Sequence, residues 1–365
     1  MAKTLLFLPD ISGFTEFVQT TEAQHAQHVI AELLEVMIDS NTIGLELAEV
    51  EGDALFFFKE EIPSLEQLLA QIENTFTAFY SHLKLLEKNR VCPCMACSSA
   101  PQLQLKIIVH CGDVEFITVQ NKRKPFGAEA IEAHRLMKND VESDNYILIS
   151  EPLAKEIMLP AHYKSKLYSF QEGKNEYDNK TVHYLYSELD KENLKLKPFA
   201  TAQKVNLEGK ADLTYEVELY CKAQEGIEWV SNYAKRYEWA EGVDEFIYNE
   251  HEVTRLGTEH VCVINGKHLN FVTVTKNDIS ASSGLIYGEM TDGPPFVDKV
   301  YQFYSFQPIN AHRSKIIVEV YMETKSVIKK VFKNLFLKDI FRKGIVKNID
   351  NLSNKTKEIK MKNEE

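Results

Sequence analysis

Apolar and polar positions follow two different rhythms along the chain, and each rhythm predicts its own set of elements. Up to about residue 190, apolar runs of strand length alternate with longer stretches in which apolar residues recur at helical spacing. The run at 5–8 predicts a strand buried on both faces, and the run at 103–109 predicts a second strand. The segments 16–38 and 65–86 predict amphipathic helices. A third strand is predicted at 114–119, forming a hairpin with the second, and a fourth at 146–150.

The rhythm changes after a charged stretch that ends at Pro198. One strand-like run and one helical run are followed by six short strand-like runs, and a long helix is predicted from residue 326. We therefore predict an α+β fold with two domains, at 1–190 and 210–350. A linker is predicted at 191–209 and a disordered tail at 351–365.

Two carboxylates in the first domain are predicted to converge. The first strand leads to Asp10, and Gly13 then turns the chain into a helix that begins near Thr15. Asp53 follows Gly52 in the turn of a predicted hairpin over 45–59. If this hairpin pairs with the first strand, Asp10 and Asp53 meet. Two such carboxylates are the usual cradle for two magnesium ions and a triphosphate.

Five motifs, in this order, resemble the class III nucleotide cyclase family, and together they cover about 150 residues. They are Phe7 to Thr15, Gly52-Asp53, the strand that ends in His110-Cys111-Gly112, Phe126-Gly127 followed by Ala133-His134-Arg135-Leu136, and the strand 146–150. The resemblance implies the ferredoxin-like sandwich of nucleotide cyclase domains. It also implies a homodimer, because in this family each site takes its two halves from different protomers.

The resemblance assigns roles to individual residues. Asp10 and Asp53 are implied to bind two Mg²⁺ or Mn²⁺ ions, assisted by the Ile11 carbonyl, and Arg135 to stabilise charge on the transferring phosphate. The nucleoside triphosphate is implied to lie against further residues, which are Gly13, Phe14, Thr15, Glu49 and Lys124.

Three positions depart from the family pattern or modify it. The family's asparagine, four residues before the arginine, is replaced by Ile131, which cannot donate a hydrogen bond. Glu49 stands where guanylate cyclases carry glutamate and adenylate cyclases carry lysine, whereas Lys124 is typical of neither class. The metal half of the site is therefore predicted to be intact, and the base and transition-state half to be altered.

The second domain resembles the START-like, polyketide-cyclase-like helix-grip fold. The resemblance rests on the order of elements and on Trp229, on the segment 239–243 and on Gly257. Such folds enclose an apolar cavity for a lipid or aromatic ligand; the alternative is a filled core. The basic amphipathic helix over 325–347 either lies on an anionic membrane or closes this cavity with its lysines in water, and we expect the second.

Three cysteines are closely spaced in Cys92-x-Cys94-x-x-Cys97. They could supply three thiolates to one zinc ion, with His110 or Cys111 as the nearest fourth donor. The alternative is a connector with incidental thiols. Six cysteines in 365 residues do not resemble a secreted disulfide framework.

Composition and charge exclude some functions. The net charge of −12 argues against a general nucleic-acid binder. No apolar run approaches the ~20 residues of a membrane-spanning helix, and the N-terminus leads directly into a strand without room for a signal peptide. We expect a cytoplasmic protein. Two functions stay open, a weak or divergent nucleotide cyclase and a non-catalytic nucleotide-binding or dimerisation module coupled to a sensor for an apolar ligand.

Overall fold

The computed structural model describes residues 3–177, 180–199, 204–207, 209–250, 252–276 and 286–364. The chain forms two compact units. The first comprises Met1–Leu85 and Ser99–Phe199, and the second comprises Leu86–Ser98 and Ala200–Glu365. Part of the predicted linker, at 200–203 and 208, lies outside the described residues. The predicted α+β class is confirmed by the helices and sheets given below.

The first unit is built on a seven-stranded sheet. The strands up to residue 190 are β1 Thr4–Ser12, β2 Glu46–Glu51, β3 Ala54–Lys59, β4 Gln104–Gly112, β5 Glu115–Val119, β6 Lys122–Phe126, β7 Tyr146–Ser150, β8 Gln171–Tyr177 and β9 Lys180–Glu188. Seven of them are ordered β2-β3-β1-β4-β7-β9-β8, and β5 pairs with β6 in a separate ribbon. Within the seven-stranded sheet, β4 and β7 are parallel and the other pairs are antiparallel.

Helices of the first unit bury the central strands of this sheet. The helices up to residue 190 are α1 Phe14–Thr20, α2 Ala23–Asp39, α3 Leu65–Asn89, α4 Met95–Ser99, α5 Ala128–Leu136 and α6 Glu151–Glu156. The end of α3, from Leu86, and α4 up to Ser98 belong to the second unit. Every residue of β1 is buried, as its continuous apolar run predicts. Leu6 and Leu8 share one core cluster with Ala133 and Leu136 of α5. The prediction that β1 is a strand buried on both faces is therefore confirmed.

Two local predictions in this unit are wrong. The predicted helix 16–38 is two helices, because the Thr20 and Thr21 hydroxyls bond to the carbonyls of Glu16 and Phe17 and end α1. The predicted hairpin of 103–109 with 114–119 does not form, since β5 turns back through residues with positive φ at Gln120–Asn121 to pair with β6. The basic run 122–124 therefore lies in β6.

The last hairpin of the sheet is formed by β8 and β9. The segment before it, 163–170, contains an isolated bridge between Lys164 and Ser169. Residues 178–179, between the two strands, lie outside the described residues. β8 is an edge strand, so it has no second neighbour and its polar side chains reach solvent.

The second unit contains another seven-stranded sheet, and this one is entirely antiparallel. Its strands are β10 Leu213–Leu219, β11 Glu245–Ile247, β12 Glu259–Ile264, β13 Lys267–Val274, β14 Ile286–Asp292, β15 Lys299–Asn310 and β16 Arg313–Glu323. Their order is β10-β16-β15-β14-β13-β12-β11, so each strand from β11 onwards lies beside the next in sequence. The helices of this unit's C-terminal part are α7 Ala223–Ser231, α8 Tyr233–Arg236, α9 Val327–Phe332 and, after a π-helical turn at Lys333–Leu337, α10 Lys338–Glu364.

The end of the chain corrects the prediction of a disordered tail at 351–365. α10 continues to Glu364, and Leu352 is fully buried in the core cluster that contains the sheet residues Ile316 and Val318. The Ser353 hydroxyl donates to the Glu218 carbonyl at 2.6 Å, and the Tyr220 amide donates to the Thr356 hydroxyl at 3.1 Å. Packing against β10 thus stabilises a helix whose sequence is largely polar.

None of the helices in the described parts of the chain combines the length and apolarity needed to cross a membrane.

Candidate active site

The sheet of the first unit brings Asp10 and Asp53 together. β1 lies between β3 and β4, so that Asp10 is opposite Ala54 on one side and Lys106 on the other. Asp53 occupies the turn between β2 and β3, after Gly52 with φ of 70°. The Ile11 amide donates to the Asp53 carbonyl at 3.2 Å. Asp10 is within β1, not at its end as predicted, because the strand continues to Ser12.

Burial and the neighbouring carboxyl group of Asp10 raise the pKa of Asp53. Burial is the largest cause, followed by the charge of Asp10 and a side-chain hydrogen bond between the two, and the pKa reaches about 6. Two carboxylates held side by side repel each other when both are ionised. The pair is therefore a local concentration of negative charge that a cation would relieve.

Lys106 already supplies one positive charge to this pair. Its Nζ lies 2.9 Å from Asp10 Oδ2. Burial lowers the pKa of Lys106, but the charge of Asp10, the hydrogen bond to it and the charges of Tyr146 and Asp53 together raise that pKa above its ordinary value. Sequence reasoning missed Lys106. The signal that identifies it is the register of β4 against β1, which the chain order does not reveal.

Oxygen donors at this place suit a divalent ion of the kind that prefers carboxylates. Asp10 and Asp53 offer carboxylate oxygens from two neighbouring chain segments, and their mutual repulsion favours a cation between them. The residues present therefore fit Mg²⁺ or Mn²⁺. Lys106 would then balance the charge of Asp10 together with the ion.

The two predicted base-reading residues also meet. Lys124 Nζ on β6 lies 2.8 Å from Glu49 Oε1 on β2, and both side chains are partly exposed. An exposed ion pair of this kind contributes little free energy, so it can open for a ligand. The neighbouring Arg123 pairs with Glu60 at 2.8 Å and lies over the Phe116 ring at 4.2 Å.

The predicted phosphate and transition-state residues lie at exposed positions. Arg135 is exposed on α5, and the side chain of Ile131, one turn earlier, is 55 % exposed. Gly13 has φ of 87° and precedes α1, whose first two residues are Phe14 and Thr15. Ile131 and Arg135 are four residues apart in α5 and therefore lie on the same face of the helix.

The cysteine cluster forms in the second unit. The sulfur atoms of Cys92, Cys94 and Cys97 lie within 4.8 Å of one another, and all three side chains are buried. His110, the predicted fourth ligand, belongs to the first unit and has partners there: Nδ1 is 2.8 Å from the Ser150 hydroxyl and Nε2 is 2.7 Å from a Glu129 carboxylate oxygen. Because both nitrogens are engaged, a ligand role for His110 is not supported.

Comparisons with known proteins give limited sequence likeness. Residues 30–146 match a family model described as a protein of unknown function (DUF2652). This span contains Asp53, the three clustered cysteines and Arg135, but not Asp10. An uncharacterised protein of Mycobacterium tuberculosis is 28 % identical over 126 residues, which is 34 % of this chain, and the chain spans 59 % of the length of that relative.

Several of the similar solved structures are nucleotide cyclase domains, all at low sequence identity. The adenylyl cyclase CyaB from P. aeruginosa has 20 % identity and a TM-score of 0.39, with 52 % of this chain and 94 % of that chain covered. The guanylyl cyclase Cya2 has 12 % identity and a TM-score of 0.38, covering 52 % and 93 %. The guanylate cyclase domain of RhGC from Catenaria anguillulae, solved with GTP, has 14 % identity and a TM-score of 0.37, covering 52 % and 98 %.

Proposed function

We propose that the first unit is a nucleotide cyclase-like domain that forms a 3′,5′-cyclic nucleotide and pyrophosphate from a nucleoside triphosphate. The observation that supports this most is the pair of Asp10 and Asp53, which meet on neighbouring segments of the sheet with the pKa of Asp53 raised to about 6. The five ordered motifs of the sequence supply the second support. Both point to the binding of divalent metal and phosphate at the same place.

In this reaction, the ribose 3′-oxygen attacks the α-phosphorus. A bond forms between these two atoms, the bond from the α-phosphorus to the pyrophosphate oxygen breaks, and the 3′-hydroxyl proton leaves to solvent. Bound Mg²⁺ or Mn²⁺ supplies charge neutralisation and a lower pKa for the attacking hydroxyl. Asp10 and Asp53 would hold the ions, and Lys106, whose Nζ lies 2.9 Å from Asp10 Oδ2, would hold the Asp10 side chain in position.

Arg135 would stabilise the charge that develops on the transferring phosphate. Its exposure on α5 suits a residue that acts across the interface of a homodimer. Ile131 removes one oriented donor, and the loss of such a donor typically lowers a rate by about 10² to 10³-fold. We therefore propose a slow enzyme.

Glu49 would select the base. A carboxylate can accept hydrogen bonds from the guanine edge but not from adenine in the same geometry, so GTP is favoured over ATP. The ion pair between Glu49 and Lys124 would have to open first, and because both side chains are partly exposed, its opening costs little free energy. A pyrimidine triphosphate is the alternative substrate, because Lys124 fits neither usual purine partner.

The test is to incubate the purified full chain and Mn²⁺ with each of the four triphosphates and to measure cyclic nucleotide by mass spectrometry. We expect slow turnover that falls at least about 100-fold in Asp53→Ala and in Arg135→Ala, by the magnitude of lost charge stabilisation. Asp140→Ala and Lys138→Ala, at exposed positions near the end of α5, are the matched controls.

Mixing the two inactive variants tests the shared site. If Asp53 and Arg135 act across a dimer, half of the dimers are mixed and each mixed dimer has one intact site, so about a quarter of wild-type activity returns. No product from any triphosphate, or variants as active as wild type, would exclude the enzyme and favour the sensor.

The sensor alternative has its own observation in the second unit. His260 is buried between Tyr233 and Phe271, with ring centroids at 4.2 and 5.1 Å, and neither of its nitrogens has a hydrogen-bond partner among the described residues. The nearest carboxylate, that of Glu289, is 3.6 Å away and pairs with Arg236 at 2.7 Å. Burial lowers the pKa of His260 to about 4, so the ring is neutral. A buried, unsatisfied polar group beside an ion pair is the kind of contact that a START-like ligand would complete.

A further inference from the structure

We propose that Cys92, Cys94 and Cys97 bind one zinc ion through three thiolates. Their sulfur atoms already lie within 4.8 Å of one another, their side chains are buried, and none of them forms a disulfide. Zinc bonds of ~2.3 Å in a tetrahedron place sulfur atoms about 3.8 Å apart. The cluster therefore needs a contraction of at most about 1 Å to accept the ion.

The local backbone directs one N–H donor at a sulfur of the cluster. Cys94 precedes the short helix α4, and the Cys97 amide donates to Cys94 Sγ at 3.3 Å. The Ser98 amide donates to the Cys94 carbonyl at 3.0 Å and closes the same turn. An N–H donor directed at sulfur stabilises a thiolate ligand and fixes its orientation, as neighbouring hydrogen bonds do at metal centres generally.

An incidental grouping explains the cluster less well. Buried free cysteines ordinarily behave as small apolar side chains and pack against other apolar groups. Here three sulfurs face one another within six residues, in a segment where 91–94 form neither helix nor strand. A metal ion would hold this segment in one conformation, as structural zinc does in small loops. The fourth ligand would come from outside these three cysteines.

Metal content and spectra of the full chain test this site. Protein expressed with added zinc should contain about one zinc per chain by elemental mass spectrometry, whereas Cys92→Ser and Cys97→Ser should contain less than a tenth of that. Cys221→Ser, at another buried cysteine of the same unit, is the matched control and should keep its zinc. Cobalt exchanged into the wild type should give thiolate charge-transfer bands and the intense visible bands of a four-coordinate ion.

If a cysteine variant fails to fold, measurements on the wild-type protein still test whether these cysteines bind zinc. Mercurial modification of its thiols should release zinc to a chromogenic chelator in proportion to the three thiols modified. A wild-type protein with no stoichiometric metal after growth with zinc, no cobalt bands, or a disulfide between two of these cysteines would overturn the proposal. Iron in place of zinc would overturn zinc as the occupant.

Independently, we infer that the exposed apolar surface around α9 binds an anionic lipid bilayer. This surface consists of the side chains of Phe296, Val331, Phe332, Leu335, Phe336 and Ile340. The last three are 60–66 % exposed, and stacking links Phe296, Phe332 and Phe336 with centroids 5.0 and 6.0 Å apart. Closure of an internal cavity, the role expected from the sequence, would bury these residues.

The charge around this surface identifies the occupant. The segment 325–347 contains eight basic residues and one acidic residue, which gives +7 in a chain of net charge −12. Lys329 and Lys333 pair with Asp298 and Asp212, whereas Lys330, Arg342 and Lys343 are exposed. Aromatic and aliphatic side chains flanked by cations are typical of segments that lie in the headgroup region of anionic membranes.

A second copy of this chain is a poorer occupant of the surface. A two-fold contact through it would bring the exposed Lys330, Arg342 and Lys343 of two copies close together, and like charges across an interface oppose association. Anionic lipid headgroups instead neutralise the lysines while the acyl region receives the phenylalanines.

Sedimentation of the full chain with vesicles tests the bilayer as occupant. We expect binding to vesicles with 30 % phosphatidylglycerol and at least about tenfold weaker binding to pure phosphatidylcholine. The double variant Leu335→Ser/Phe336→Ser should bind at least about tenfold more weakly, and Lys330→Glu and Lys343→Glu about fivefold or more each. Met361→Ser, at an exposed methionine near the end of α10, should bind like wild type.

Circular dichroism of each variant, compared with wild type, separates loss of binding from loss of folding. Equal sedimentation with both lipids, or no binding to anionic vesicles at low salt, would overturn the inference. So would concentration-dependent dimerisation that the Leu335→Ser/Phe336→Ser variant abolishes, because the surface would then be covered by a second copy.

Discussion

At the scale of single residues, the main feature of the candidate active site is the repulsion between two neighbouring carboxylates. The charges of Asp10 and Asp53 are held close together on the sheet, and Lys106 compensates for one of them. A site of this kind stores unfavourable energy in the absence of a cation. Residues arranged for function in this way commonly cost stability.

We predict that Asp53→Asn stabilises the first unit at pH 8 and not at pH 4. The pKa of Asp53 is about 6 in the fold and near 3.8 otherwise, so the folded state binds more protons between these values. Stability contributed by protonated Asp53 is therefore present at low pH and is lost as pH rises through about 6. After discounting for partial exposure, asparagine should gain about 1 kcal/mol at pH 8.

Hydrogen exchange of the amides in β1 and β3 measures this effect locally. Asp144→Asn, at an exposed position of the same unit, is the control and should change neither the exchange rates nor their pH dependence. If Asp53→Asn protects these amides no better than wild type at pH 8, the carboxylate pair does not carry the repulsion described above.

At the scale of elements, α10 shows how packing decides what propensity does not. Its C-terminal half is rich in lysine and asparagine, yet Leu352 in that half lies in one core with the sheet, after Ile345 and Ile349 in the half before it. The buried positions recur every three or four residues, which is helical spacing, but they are few. When only a few apolar residues recur at helical spacing among many polar ones, the sequence predicts disorder. Packing against β10 stabilises this segment as a helix.

We predict that Leu352→Ala destabilises the second unit by about 3 kcal/mol, within the usual range for a fully buried leucine. Urea denaturation followed by tryptophan fluorescence is the measurement, because both tryptophans, Trp229 and Trp239, belong to this unit. Met361→Ala, 57 % exposed on the same helix, should change stability by less than about 0.5 kcal/mol. Equal effects of the two substitutions would mean that α10 does not contribute to the core as described.

At the scale of the whole molecule, the chain builds two sheets that belong to different compact units. The first mixes one parallel pair with antiparallel pairs, whereas the second follows chain order almost throughout. The segment 86–98 belongs to the second unit although it interrupts the first in sequence. The pattern of apolar residues predicts a domain boundary near residue 200. It does not reveal that 86–98 belongs to the second unit, because this assignment depends on which core contains side chains such as Val91.

The sequence by itself determined the strand and helix nature of the strongly apolar elements and the two carboxylates of the candidate site. Runs such as the one in β1 can be stable only when both faces are covered, and the turn at Gly52 fixes where Asp53 follows β2. These features follow from short-range periodicity and turn chemistry, which depend only on residues close together in the sequence. The cysteine cluster was also predicted, since six residues are too few to separate its members widely.

Tertiary structure alone decided which distant residues meet. Strand register placed Lys106 on Asp10 and the β5–β6 ribbon placed Lys124 on Glu49. The tertiary structure also provides hydrogen-bond partners for both nitrogens of His110. It leaves Phe336 and its neighbours exposed, whereas the sequence predicted that they are buried. The physical reason is the same in each case. Local patterns state what a side chain prefers, but pairing between segments far apart in the chain determines which partner or solvent it finds.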